Sequence, residues 1–151
     1  AENNFFILIV SDISKIIDTI KSRCSVIYFP PIEFTKQCDY LIKQGFNKID
    51  AEIISKITYG SIGDSLDMAN DFSEKMSSLN NLISCILNND IISWKNQFQK
   101  LKEKNNIIEY LEFLNLFISD INSVQNKFYK EINFKNFEKL ISKFSNKYFI
   151  N

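Results

Sequence analysis

The sequence predicts a mainly α-helical chain that begins with a short α/β segment. Apolar runs at residues 5–10 and 26–29 combine β-branched and aromatic side chains, which is typical of strands buried on both faces. From Pro31 onward, apolar residues recur at helical spacing with polar residues between them, which is typical of amphipathic helices packed in a bundle. These two patterns define the predicted fold class.

The α/β segment is predicted to span residues 1–32. Between its two expected strands, residues 13–21 carry isoleucines at helical spacing and predict a short helix. Two consecutive prolines, Pro30 and Pro31, end the segment because proline cannot continue a central strand. A parallel strand needs neighbours, and this sequence offers only two candidates. We therefore expect the end of an α/β domain whose other strands lie outside this sequence.

Residues 33–72 are predicted to form three short helices. Gly45 suits the position just after the first of them. Asp50 is the expected N-cap of the second. The third is expected to start at Ser61 and Asp64, which form a pattern like a capping box.

Residues 73–151 predict a larger helical bundle, because four apolar stripes follow one another with polar opposite faces. The expected stripes are Leu79, Leu82, Ile83, Ile86 and Leu87; Ile91, Trp94, Phe98 and Leu101; Ile107, Leu111, Leu114, Ile118 and Ile121; and Phe137, Leu140, Ile141, Phe144 and Tyr148.

Composition excludes several kinds of free-standing enzyme. The chain has no histidine, which removes Ser-His and Cys-His catalysis and the commonest metal ligand. Its three cysteines form no CxxC pair, and its three glycines form no GxxxxGK[ST] or GxGxxG loop. The formal charge is zero, so a basic nucleic-acid footprint over the whole chain is absent. We expect a cytoplasmic protein without a metal, a membrane span or its own nucleotide site.

Arg23 is the only arginine among eighteen basic residues. Lysine, isoleucine and asparagine dominate the sequence, as expected of an A+T-rich genome in which arginine codons erode to lysine. An arginine kept under such a bias indicates a role for its planar, permanently charged guanidinium. The alternative is that Arg23 is an incidental surface residue.

Two segments resemble a known family. Residues 6–12 and then 15–24, which end in T-I-K-S-R-C, resemble the strand, sensor-1 position and SRC motif of clamp-loader AAA+ subunits. Residues 60–66, GSIGDSL, resemble the start of the sensor-2 helix in the lid domain of those subunits. The closest likeness is to bacterial DNA polymerase III clamp-loader subunits of the delta-prime type. The likeness is specific through about Phe72, and beyond it only helical character and length match.

This resemblance implies a three-part architecture and a set of roles. Residues 1–32 would be the end of a AAA+ core, residues 33–72 a three-helix lid, and residues 73–151 a helical collar that joins subunits. Arg23 would be an arginine finger that acts in trans on ATP held by a neighbouring subunit.

The resemblance also implies supporting residues. Ser22 and Cys24 would shape the turn that presents the finger, as a small polar residue and a small buried hydrophobe. Ser11 occupies the sensor-1-like position, and the alternative is a hydroxyl that bonds backbone at a strand end. ATP-binding relatives carry an arginine after the Gly-Ser pair, whereas this chain has Gly63 and Asp64 there.

The resemblance therefore implies a non-catalytic, stator-like subunit that assists ATP-driven loading of the sliding clamp onto primed DNA. ATP and Mg²⁺ would be held by neighbouring subunits, and this chain would hold no cofactor. Its partners would be the gamma/tau and delta subunits, with the clamp and DNA reached through the complex. A gamma/tau-type ATPase subunit and a replication factor C-like subunit are the alternatives within the family.

Readings outside the family are a helical interaction adaptor and an independent hydrolase. The adaptor would explain the bundle but not the N-terminal motifs. The hydrolase would need paired carboxylates, and the aspartates here lie near helix starts, which favours capping. A lysine run beside Trp94 suggests either a solvated helix face or a contact with DNA or a partner; it consists of Lys95, Lys100, Lys102 and Lys104.

Overall fold

A computed structural model describes residues 5–103, 107–129 and 132–148, with the side chains of residues 101–103 left out of the description. The described residues contain eight α-helices and no β-strand. The chain divides into two compact units, which we call the N-terminal unit (Ala1–Pro30) and the helical unit (Pro31–Asn151). The mainly helical fold class is confirmed.

The N-terminal unit contains little regular structure. A 3-10 turn, Ile13–Lys15, is capped by Asp12, which accepts a hydrogen bond from the Ser14 amide at 2.9 Å. One short helix, α1 (Asp18–Lys21), follows it, so the predicted helix at residues 13–21 forms as two separate turns.

The two predicted strands are wrong for this chain. Residues 5–10 and 26–29 are fully described and form no ladder. Their side chains lie in solvent, with Phe5 91% exposed and Phe29 89% exposed. A strand is stabilised by pairing with a neighbour and by burial of its faces, and these segments have neither in this structure.

The helical unit begins with three short helices: α2 (Phe34–Lys43), α3 (Lys48–Thr58) and α4 (Ile62–Asn70). Gly45 follows α2 with φ +102°, as its predicted position requires. The N-cap of α3 is Asn47, whose side chain accepts from the Asp50 amide, so the prediction of Asp50 as the cap was wrong by three residues. Ser61 caps α4 by accepting from the Asp64 amide, as predicted.

Four further helices complete the described part of the helical unit. They are α5 (Phe72–Leu87), α6 (Ile91–Glu103), α7 (Ile107–Gln125) and α8 (Glu138–Lys147), and a 3-10 segment, Lys135–Phe137, leads into α8. Residues 88–90 form the turn between α5 and α6. There Asp90 accepts from the Ser93 amide at 3.0 Å and so caps the start of α6.

One hydrophobic core runs through the helical unit. Leu41 and Ile54 from the first three helices belong to the same buried cluster as Phe113 and Ile141 from the later ones. Aromatic rings continue across it, with the Phe72 and Phe113 centroids 6.1 Å apart. Packing is therefore continuous across residues 72 and 73.

A buried lysine also joins α5 to α7. Lys75 is only 5% exposed, and its ammonium lies 2.6 Å from Glu109 and 3.7 Å from Asp71. The side chains of Asp71 and Glu109 stay partly in solvent, at 50% and 37% exposed, so the buried ammonium meets its counter-charges at the surface of the helical unit.

The predicted apolar stripe of α7 is shifted by about one residue. The side chains buried from α7 are those of Tyr110, Phe113, Phe117, Asp120 and Ile121. Leu111 and Ile118, which were expected to be buried, are 56% and 46% exposed. The aromatic residues have more area to bury than the aliphatic ones, so the helix turns its aromatic side inward.

Candidate functional site

The turn that carries Arg23 is held by short-range backbone hydrogen bonds. The Arg23 amide donates to the Ile20 carbonyl at 3.0 Å, and the Cys24 amide donates to the Lys21 carbonyl at 3.2 Å. Ser22 is the C-cap of α1, and its hydroxyl donates to the Thr19 carbonyl at 3.3 Å. These bonds form a single helical turn that ends in the S-R-C triplet.

The guanidinium of Arg23 is exposed and makes no hydrogen bond or ion pair with any residue that the structure describes. Its neighbours behave differently, because Lys21 pairs with Asp18 at 3.1 Å. A guanidinium without an internal partner keeps all its donors available for an external anion.

The residues predicted to support Arg23 are only partly as expected. The Ser22 hydroxyl bonds to the turn, and its role in presenting a finger stays a prediction. Cys24 is exposed, so its predicted burial is wrong in this structure. Since nothing in the described part of the N-terminal unit is buried, it offers no core to receive this thiol.

Ser11 lies in an exposed bend between residues 5–10 and the 3-10 turn. Its hydroxyl makes no hydrogen bond to the described residues, so the alternative of a hydroxyl bonded to backbone is not realised here. Among the described residues, Ser11 makes no hydrogen bond to Ser22, Arg23 or Cys24. Its sensor-1-like role remains a prediction.

The Gly60-Ser61 segment is positioned by a buried polar side chain that the sequence did not reveal. Gln37 is fully buried on α2. Its amide nitrogen donates to the hydroxyls of Thr58 at 2.8 Å and Ser65 at 2.6 Å, and its carbonyl oxygen accepts from the Gly60 amide at 3.1 Å. Every polar atom of this side chain is satisfied, so the network fixes the start of α4 against α2. A glutamine in a helical stripe gives little signal, because most glutamines are exposed.

Gly63, two residues after the Gly-Ser pair, has open space around it. A Cβ added there would meet no atom within 4 Å apart from its chain neighbours and the backbone of its own helix, and Asp64 next to it is exposed. The sequence places no basic residue at this helix start.

Asp120 is a second buried polar residue that sequence reasoning missed. It is 0% exposed on α7 and accepts from the Asn133 amide at 2.9 Å, the Asn133 side chain at 2.6 Å and the Phe134 amide at 2.8 Å. Lys56 from α3 also donates to the Asn133 side-chain oxygen. Burial raises the pKa of the Asp120 carboxyl above its ordinary value, against these hydrogen bonds and the nearby charge of Lys56.

Substitution of Asp120 should test this arrangement. Asp120→Asn should lower the free energy of unfolding by about 1–3 kcal/mol, because an amide group would set a donor against the Phe134 amide. A raised folded-state pKa gives stability that is fully present below the ordinary value of 3.8 and lost as pH rises through the folded-state value. The difference in the free energy of unfolding between wild type and Asp120→Asn should therefore widen as the pH falls. Urea denaturation at several pH values measures it, and a difference that narrows on acidification would contradict this assignment.

The described parts of the chain contain no metal site and no membrane-spanning helix. No group of three or more histidine, cysteine, aspartate or glutamate residues there is arranged to hold a metal ion. No helix among the described residues has the length and apolar character to cross a membrane. Trp94 stacks on Phe98 at 5.5 Å, and of the lysines near it, Lys95 and Lys100 are exposed, the Lys102 side chain is not described, and Lys104 lies outside the described residues.

Comparison with protein-family models, curated proteins and solved structures gave no match.

Proposed function

We propose that this chain is the non-catalytic, stator-like subunit of a bacterial DNA polymerase III clamp loader and assists ATP-driven loading of the sliding clamp onto primed DNA. The observation that carries the proposal is Arg23. It is the sole arginine, it lies in the T-I-K-S-R-C turn, and its guanidinium is exposed and has no partner among the residues that the structure describes. A fixed backbone with a free guanidinium suits stabilisation of charge on a phosphoryl group held by another subunit.

In this proposal ATP and Mg²⁺ belong to neighbouring subunits of the gamma/tau type. The sequence contains no phosphate-binding loop, and the helix start at Gly63 has no basic residue. The complex would work in the cytoplasm together with a delta-type subunit, the sliding clamp and primed DNA. The large exposed apolar side chains of residues 5–10 and 26–29 support a place for this chain within a larger assembly.

The helical unit supplies a surface for assembly. Ile108, Leu111 and Ile118 are 76%, 56% and 46% exposed. Their spacing of three and seven residues places them on one face of α7, opposite its buried aromatic side. An exposed aliphatic stripe on a long helix fits against a helix of another subunit, so we place a collar contact on α7.

This contact can be tested without disturbing the core. Ile118→Lys should weaken co-purification with the other loader subunits, because it places a charge in an apolar interface. Ile42→Lys is the matched control, since Ile42 is a similarly exposed isoleucine (40%) on α2. Both variants should melt at similar temperatures. Assembly retained equally by the two variants would remove α7 from the interface.

The second candidate function is that of a helical interaction adaptor, and the α7 stripe favours it as much as it favours a collar. The two functions separate at Arg23. An adaptor should keep all of its partner binding and its partners' activity when Arg23 is replaced, whereas a stator should assemble normally and lower ATP turnover in the complex. A gamma/tau-type subunit is separated from both by nucleotide binding of the intact protein.

A further inference from the structure

An unfilled cleft of about 290 Å³ opens in the helical unit, near the lower end of ordinary small-ligand sites. It lies between the start of α3, the junction of α4 with α5, and the 3-10 segment before α8. Four phenylalanines line it, namely Phe46, Phe72, Phe134 and Phe137. With four aromatic rings around it, the cleft has a mostly apolar wall.

The wall of the cleft belongs to the fixed core. Phe134 is 1% exposed and Phe72 is 6% exposed, so packing covers nearly all of both rings and the core holds the floor of the cleft in place. Phe134 stacks on Phe137 with centroids 5.8 Å apart and planes 21° apart. The cleft is therefore a pre-formed site rather than a gap between mobile side chains.

A carboxylate stands at the edge of this apolar cleft. Asp50 lines it from the first turn of α3, and its Oδ2 accepts from the Asn47 side chain at 2.6 Å. Asp50 makes no ion pair with any lysine or arginine in the described parts of the chain, and the nearest lysine in sequence, Lys48, pairs with Glu52. Within the described parts of the chain, no lysine or arginine therefore neutralises the negative charge of Asp50.

We propose that this cleft binds a small organic cation with an aromatic or aliphatic body, of the arylalkylammonium class. The apolar body would lie against the partly exposed rings of Phe46 and Phe137, where its burial and ring contacts stabilise it. The ammonium would pair with Asp50 and lie near the ring faces, which attract cations. This site is separate from the function proposed for Arg23 and does not depend on it.

The test is an NMR titration of the full chain with phenethylammonium and, separately, with its neutral counterpart 2-phenylethanol. Saturable shifts should appear at amides around residues 46–53, 69–76 and 134–137 for both probes. Phenethylammonium should bind about fivefold more tightly, the factor expected of a partly exposed ion pair. Raising the salt concentration should weaken the binding of phenethylammonium and leave the affinity for 2-phenylethanol unchanged.

Two variants separate the contributions of the carboxylate and the cleft. Asp50→Asn should remove the preference for the cation and keep the affinity for the alcohol. Asp64→Asn, which changes an exposed aspartate in the first turn of α4, should keep the preference. Ser73→Leu should abolish binding of both probes, because Ser73 lines the cleft and leucine would fill it.

Shifts that do not saturate, or that cluster elsewhere, would overturn the site. Equal affinity for both probes in the wild-type chain would overturn the assignment to cations. If Asp50→Asn disturbed the fold, the salt dependence and the Ser73→Leu variant would decide in its place.

Discussion

Replacing Arg23 with alanine in the intact subunit should lower the DNA- and clamp-stimulated ATP turnover of the assembled loader. Arginine fingers contribute about 10³–10⁵ to the rate at the site they serve. The total should fall only in part, since the other ATP sites keep their own fingers. Arg23→Lys should rescue poorly, because one ammonium cannot reproduce the paired donors of a guanidinium.

The same variant should fold and assemble normally. Arg23 is exposed and has no internal partner among the described residues, so its truncation removes little buried surface. Lys21→Ala is the matched control. It removes a basic side chain from the same turn, and that side chain is paired with Asp18. Turnover and melting temperature measured on each variant decide the matter. Lost stability with normal turnover would mean that Arg23 is a structural residue.

The largest expected effect on stability lies at Gly60. Gly60→Ala should lower the free energy of unfolding by about 3 kcal/mol or more, from positive-φ strain together with overpacking. Its φ is +90°, and a Cβ there would lie 2.6 Å from the Pro31 Cβ and 2.7 Å from both the amide nitrogen and the carbonyl oxygen of Ile32. Relief of this contact would also break the hydrogen bond from the Ile32 amide to the Gly60 carbonyl.

The other two glycines are controls for that substitution. Gly45 has φ +102° with open space around it, so Gly45→Ala should show the backbone strain alone, about 1–2 kcal/mol. Gly63 lies in the first turn of α4 with open space, so Gly63→Ala should be neutral or stabilise by up to about 1 kcal/mol. Chemical denaturation of the three variants should rank them in that order. A mild effect at Gly60 would show that residues 31 and 32 do not pack as described.

Local signals predicted the helices of the helical unit, but the apolar stripe predicted on α6 was wrong, since Ile91 is 64% and Phe98 is 39% exposed. Ser61 and Gly45 mark helix ends because capping depends on side chains and φ values that few residues supply. The stripe of α5 was also predicted correctly at Leu79, Leu82 and Ile83, all of which are buried. Periodicity was less reliable in α7, where almost every position from 107 to 118 is apolar or aromatic and several faces satisfy the pattern.

The buried polar residues could not be predicted. Gln37 and Asp120 are buried because partners 21 and 13 residues away in the chain satisfy them. Such partners are set by tertiary packing, which no local pattern encodes. The expected strands failed for a related reason, since a strand depends on neighbours that must be supplied from elsewhere.

At the candidate site, the sequence singled out Arg23, and the structure adds the conformation and exposure of the turn around it. The T-I-K-S-R-C pattern singled out Arg23, and the turn, the exposure and the free guanidinium are compatible with a finger. Cys24 departs from its expected burial, and Ser11 makes no hydrogen bond within the described part of the chain. The roles of these residues depend on atoms of other subunits and remain predictions.

The central claim is that this chain is a member of a clamp loader, and native mass spectrometry of a reconstituted complex tests it most directly. The intact protein would be mixed with purified gamma/tau-type and delta-type subunits from its own source. We expect an assembly that contains one copy of this chain, with ATP bound only by the gamma/tau-type subunits. If no combination of those subunits yields a complex containing this chain, the account is contradicted.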